Sequence, residues 1–362
     1  MRSARLSVVI LCVACGSTPP PSSAPPASEA PPNEAPPASA APIVAAPTTA
    51  PYELHEWGVI DVDAAGAVEI SAGAGQPQRP MSVRKPVVYA HLLDGATETT
   101  FGVRVVLGAG TFVEHAPTTT ITGNVLEWPH VIAHGSHCTP DEQAVTAATT
   151  ARRASPRMSC TTPDGICEIT ELPRYDAPSS ACLDVDGLQT GLLFYRAQTP
   201  SVTLPITTQR AADLTLTVGA TSTLAGTPGG LIRLSTALNG PWPRGRIVIS
   251  RAAFPASGAS ITMPVGTEDI TRDAGIAELG HAIVTLGLTD DEASAFMAGW
   301  ADELFGTQPG APVVPVRHQD VLLFFLPAPL IDPIARLEAT PSPRAIHRAI
   351  MVRIDLGVVP TA

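Results

Sequence analysis

Lysine is almost missing from this chain: Lys85 is the single copy among 22 Lys and Arg residues. No Gly-Lys-Ser/Thr and no Ser-x-x-Lys occurs, which excludes P-loop nucleotide chemistry and serine–lysine acyl transfer. Positive charge is short overall, with a formal net charge of −11. A protein that neutralises phosphates needs a basic footprint, so a nucleic-acid partner is excluded. Electrostatic docking on anionic lipid is disfavoured for the same reason. Long apolar runs are missing too. The run from Val321 to Leu326 stops at Pro327, far below the roughly 20 residues a membrane-spanning helix takes. Beyond Cys15 no Cys-x-x-Cys pair is present among Cys138, Cys160, Cys167 and Cys182, which argues against a four-cysteine metal site.

What is present begins with an export signal. Arg2 and Arg5 precede the apolar stretch Leu6 to Ala14, and this basic-then-apolar order ending on a small residue is that of a secretory signal. The stretch ends Val13-Ala14-Cys15-Gly16, which resembles a bacterial lipoprotein signal whose cysteine is acylated and becomes the first residue. Residues 1–15 therefore read as the signal and Cys15 as the lipid-attachment site. Cys12 stands where that motif carries leucine, so ordinary cleavage and secretion is the alternative. Residues 16–51 read as a disordered tether. The 12 prolines among positions 17–51 favour extended polyproline II and cannot bury a core, with a reach of at most ~100 Å. The expected address is the bacterial cell envelope, on the outer membrane or facing the periplasm. The membrane is the partner through the lipid anchor, and envelope proteins or polysaccharide are the candidate contacts.

From Tyr52 the composition changes. Short apolar or alternating segments are separated by turn residues, as in Phe101-Gly-Val-Arg-Val-Val-Leu107 followed by Gly108-Ala-Gly110. Strands this short at this spacing predict antiparallel sheets, most simply a sandwich, over residues 52–265. Residues 266–362 differ. Apolar residues at 276, 279, 283 and 286 have helical spacing. Thr289 and Glu292 form a capping box for a second helix with the stripe Ala293, Phe296, Met297, Trp300 and Leu304. The fully apolar run at 321–326 predicts a central strand. The alternation of Ile350, Val352 and Ile354 with Met351, Arg353 and Asp355 predicts a strand with one wet face. The fold class is thus mainly β (α+β overall): an antiparallel sandwich-like body with a C-terminal helix pair and two further strands packed on it.

Residues 131–187 break the pattern and hold Cys138, Cys160, Cys167 and Cys182. An even number of cysteines in an exported chain predicts two disulfides with three possible pairings. Cys160–Cys167 with Cys138–Cys182 would nest, but the sequence leaves the choice open. The segment reads as a long excursion held by those bridges.

Candidate chemistry is sparse. His55 and Glu56 open the folded body in His55-Glu56-Trp57-Gly58. On a strand His55 and Trp57 face one way and Glu56 the other. His55 could serve as base or ligand with Glu56 near it; the structural alternative is a buried Trp57 with neighbours hydrogen-bonded at a sheet edge. Lys85 before Pro86 fits a protected edge strand better than a catalytic lysine. His130, His134 and His137 cluster in sequence, and His-x₃-His on a helix is a zinc-ligand spacing. Pro129 and Gly135 fit poorly with a helix there, so a polar loop beside a disulfide competes with a zinc site.

Four segments together resemble an uncharacterised family of exported bacterial proteins that open with His-Glu-Trp-Gly. They are Leu54-His55-Glu56-Trp57-Gly58, Arg84-Lys85-Pro86-Val87-Val88-Tyr89, Leu192-Leu193-Phe194-Tyr195-Arg196, and Leu288 through Phe305 to Asp355. The resemblance implies export and a shared fold, and no activity. With no coherent catalytic set, the expected function is a non-enzymatic binding or scaffolding module of the envelope, without a cofactor. The alternative is an envelope hydrolase or metalloenzyme using His55 and Glu56, or zinc at His130, His134 and His137.

Overall fold

A computed structural model describes residues 50–62, 81–138, 168–199, 204–224, 227–236, 247–266, 268–305 and 320–357. Cys15, the signal, the tether to residue 49, Cys160 and Cys167 lie outside the described residues. Residues 48–362 make up one compact unit. Among the described residues its strands are β1 (Tyr52–Val62), β2 (Met81–Leu92), β3 (Glu98–Leu107), β4 (Thr111–Ala116), β5 (Thr120–Thr122), β6 (Val125–His134), β7 (Cys182–Val185), β8 (Leu188–Thr190), β9 (Leu193–Thr199), β10 (Ile206–Arg210), β11 (Leu216–Ala220), β12 (Leu231–Thr236), β13 (Ile247–Ala252), β14 (Ser260–Met263), β15 (Glu268–Ile270), β16 (Asp320–Phe325), β17 (Ala335–Thr340) and β18 (Ile346–Asp355). The helices are α1 (Arg272–Thr285), α2 (Asp290–Phe305) and the single turn α3 (Ala328–Ile331), with a 3-10 segment at Glu168–Tyr175. The chain is mainly β with a C-terminal helix pair, as its periodicities imply. No described helix is long and apolar enough to cross a membrane.

A nine-stranded sheet, ordered β15-β13-β12-β16-β18-β1-β2-β9-β4, is the backbone of the body. Its two faces have different neighbours. Even-numbered residues of β1, such as Leu54 and Ile60, share a core with Val103 and Val105 of β3, Leu126 and Trp128 of β6, and Leu216 and Val218 of β11. Those strands belong to a six-stranded sheet, β17-β3-β6-β7-β8 with β5 beside β6, and a three-stranded sheet, β10-β11-β14. This is the sandwich half. Odd-numbered residues, such as Trp57 and Val59, share a second core with Leu279 and Ile283 of α1 and with Phe296, Trp300 and Leu304 of α2. The period-2 alternation of strands thus sorts one sequence into two cores.

Three expectations need correction. The alternation in the last strand predicts one wet face, yet Met351, Val352, Arg353 and Ile354 are all buried. Helices cover one face and sheet the other, and Arg353 is accommodated because its Nη1 donates to Asp61 Oδ1 at 2.6 Å. That strand also pairs parallel with β1, so the sheets are not purely antiparallel. Lys85-Pro86 does not mark a sheet edge: β2 lies between β1 and β9, and Pro86 falls where the register with both neighbours shifts. An irregular position of this kind tolerates the missing proline N–H. The run at 321–326 is central and buried throughout, between β12 and β18.

The 131–187 segment is better integrated than an excursion. Its start is the end of β6, and β7 pairs back onto it with His134 opposite Cys182. The Cys138–Cys182 disulfide, with Cα atoms 4.8 Å apart, closes that pairing.

Candidate metal centre

The parallel β1–β18 register places His347 directly beside His55, and the antiparallel β1–β2 register places His91 beside Glu53. All four residues lie on the helix-covered face of the sheet, since they share the parity of Trp57, Tyr89 and Ala349. The start of α2 supplies the fifth member. Thr289 and Glu292 form the expected capping box: the Glu292 N–H donates to Thr289 Oγ1 at 3.2 Å and the Thr289 N–H donates to Glu292 Oε2 at 2.7 Å. The loop at 177–180 braces this helix start, with the Ser179 N–H donating to Asp291 Oδ2 at 3.0 Å.

The Glu292 carboxylate does more than cap. It is fully buried and accepts from His55 Nδ1 and from His91 Nε2, both at 2.8 Å. Burial pushes its carboxyl up, but the two imidazole hydrogen bonds, the nearby His55 charge and the Thr289 N–H outweigh burial and hold it at about 2. An ionised carboxylate only accepts, so in their neutral forms His55 carries its proton on Nδ1 and His91 on Nε2. The Nε2 lone pair of His55 is thereby turned away from Glu292. This buried atom has no hydrogen-bond partner among the described residues.

What Nε2 meets is Glu53 and His347. Glu53 Oε2 stands 3.9 Å from His55 Nε2 and 3.9 Å from His347 Nε2. The ligand atoms of Glu53, His55 and His347 all lie within 4.8 Å of one another, as do those of His55, His91 and Glu292. The rings are close: His55 and His91 are 4.2 Å apart in a tilted stack, and His55 and His347 are 5.0 Å apart edge to face. Burial, then the proximity of His55, lowers the pKa of His347, which favours the neutral, metal-binding form. Gly287, in the turn between α1 and α2, has a φ of +99° and lies against the His347 imidazole, which a Cβ there would overlap. Glycine therefore serves both the turn and the close approach.

The other candidates separate. Glu56 faces the sandwich core, where Tyr195 Oη donates to its Oε1 at 2.7 Å and Arg348 Nε donates to its Oε2. Arg348 also donates to Asp332 Oδ1 at 2.9 Å and to the Ala335 carbonyl at 2.8 Å. Glu56 is a buried structural anion and takes no part in the cluster. Trp57 is the expected core anchor, with its Nε1–H donating to Tyr89 Oη at 3.1 Å. His130 and His134 lie on β6, a strand and not a helix. A strand spreads residues four apart over about 13 Å, so the zinc alternative lacks the helical spacing it needs. His134 Nδ1 is 3.3 Å from Glu98 and His137 Nε2 is 3.3 Å from Asp176, and among the described residues no group of three ligands includes His130, His134 or His137.

Of the residues singled out from the sequence, only His55 belongs to the cluster as a candidate. Glu292 was expected as a cap and has a second role. Glu53, His91, His347 and Gly287 join the cluster from positions that no sequence motif marks. The available signal was an i, i+2 pair of polar residues, Glu53 and His55, leading into the apolar strand face that holds Trp57 and Val59. No protein-family model and no curated protein matches this chain.

Proposed function

We propose that this chain is a lipid-anchored envelope protein whose folded body binds one divalent transition-metal ion, zinc by its ligand chemistry, at Glu53, His55 and His347. The observation that carries this reading is the His55 imidazole. Its Nδ1–H is fixed by a buried carboxylate, and its other nitrogen is buried, unpaired, and turned to a carboxylate and a second imidazole. An unsatisfied buried polar atom costs ~1–3 kcal/mol, which an ion would recover. A carboxylate behind a metal-bound histidine is the usual outer-shell arrangement, because it sets the tautomer and raises ligand basicity. Nitrogen and oxygen donors without thiolate suit zinc among the common ions. Ligand atoms on a tetrahedral zinc lie about 3.5 Å apart at ordinary bond lengths. The present spacings would need only a small side-chain contraction.

The test is elemental analysis and isothermal titration of the full-length chain. One zinc per chain is expected, lost in His55→Ala and in His347→Ala but kept in His134→Ala. A folded chain that takes up no transition metal would sink the reading. The proposed anchor is tested separately: Cys15→Ser should abolish lipid labelling and release the protein from membranes.

A further inference from the structure

We propose that the zinc ion held by Glu53, His55 and His347 carries a water molecule on its solvent side and hydrolyses uncharged carboxylic esters. This rests on the zinc-site reading above. The first argument is ligand number. Structural zinc sites are closed by four protein ligands, whereas catalytic sites use three and leave the fourth position to water. Among the described residues, Glu53, His55 and His347 form a group of three side chains whose ligand atoms all lie within 4.8 Å of one another.

The second argument is the gradient of exposure across the group. The side chains of Glu292 and His55 are 0% and 7% exposed, while those of Glu53 and His347 are 23% and 34% exposed. An ion among them would be walled on the His55 side and open toward His347, where water and a small substrate can approach. Zinc-bound water deprotonates near neutral pH and supplies a hydroxide nucleophile.

The third argument is charge, which selects the substrate class. The carboxylates of Glu53 and Glu292 together cancel the two positive charges of the ion. Arg344, whose charge interacts with Glu53, is paired with Asp94. Arg348 points to the opposite face of the sheet, onto Glu56 and Asp332. Among the described residues the centre therefore offers no surplus positive charge to a phosphate, and the acidic chain repels anions at a distance. An uncharged acyl compound meets no such barrier.

The step is redox-neutral. The zinc-bound water gives one proton to solvent. Its oxygen bonds to the acyl carbon, the bond from that carbon to the alkoxy oxygen breaks, and the leaving alkoxide takes a proton from solvent. One water and one ester give one acid and one alcohol. Glu292 acts through His55 as a positioning residue and does not touch the substrate.

The experiment compares the full-length chain, zinc-loaded and metal-free, in hydrolysis of 4-nitrophenyl acetate and 4-nitrophenyl phosphate. Acetate hydrolysis should rise in proportion to zinc occupancy, exceed that of free zinc at equal concentration, and be suppressed by acetohydroxamate. The phosphate ester should be left intact. Glu292→Gln at saturating zinc should lower kcat by about 10–100-fold. The visible spectrum of its cobalt-substituted form should shift relative to the parent, which a merely structural role would not produce. Stoichiometric zinc with no acetate hydrolysis above free zinc overturns the proposal and leaves the zinc site standing. Faster hydrolysis of the phosphate overturns the substrate class. Absence of bound zinc removes the site itself.

Discussion

His55 Nδ1 stands 2.8 Å from Glu292 Oε2 across 237 positions of sequence. The contact joins the first strand of the body to the start of its second long helix. The same carboxylate caps that helix and holds His91. A single buried side chain thus couples helix initiation, sheet-to-helix packing and the tautomer of the central histidine. Because Nδ1 is committed to Glu292, any ligand of His55 must approach Nε2.

Removing the charge while keeping the shape isolates this coupling. Glu292→Gln should weaken zinc binding about 10–100-fold. Competition with a chromophoric chelator measures it. Unchanged affinity would mean that His55 does not need its carboxylate.

Glu292 also sets an acid limit on the metal-free chain. Its carboxyl is held at about 2 against an ordinary value of 4.5. A carboxyl depressed by folding contributes stability that is fully present above its unfolded value and is lost as pH falls through the folded one. The window is therefore pH 4.5 down to about 2, and the contribution is on the order of 3 kcal/mol. Urea titrations across that window should show this loss in the parent and a flatter profile in Glu292→Gln.

Glu56 sits one residue from His55 and should behave oppositely. Glu56→Ala leaves Arg348 and Tyr195 buried without their shared acceptor, a change that costs about 3–5 kcal/mol. Zinc stoichiometry should be unaffected, because Glu56 faces the other core. Loss of the metal from a folded variant would contradict this separation.

Gly287→Ala tests the turn behind His347. A side chain at φ +99° is strained and would overlap the imidazole. The strain costs about 1–3 kcal/mol, and displacement of His347 should lower zinc affinity as well. Denaturant unfolding and chelator competition on the same preparation read both effects.

The Cys138–Cys182 bridge closes a loop with a sequence separation of 44. Cys182→Ser should cost about 2–4 kcal/mol. Non-reducing peptide mapping of the parent should recover this pair as a single linked fragment.

The sandwich strands, the helix pair and the Thr289–Glu292 capping box were legible because each rests on local periodicity or on residues three apart. Alternation on β1 separated His55 and Trp57 from Glu56 for the same reason. The neighbours of that strand were not legible. The parallel pairing with β18 and the antiparallel pairing with β2 brought in His347 and His91 from positions with no local signature. The His130–His137 segment shows the converse: proximity in sequence offered a site as an alternative, and the strand β6 holds His130 and His134 without the helical spacing such a site needs.

By itself the sequence determined the mainly β class with a C-terminal helix pair, the two-faced character of β1, and the capping role of Glu292. These depend on interactions within a few residues. Tertiary structure alone decided that His55, His91, His347, Glu53 and Glu292 share one place. That depends on strand register and on which helix covers which face, and both are settled by packing between residues distant in the chain.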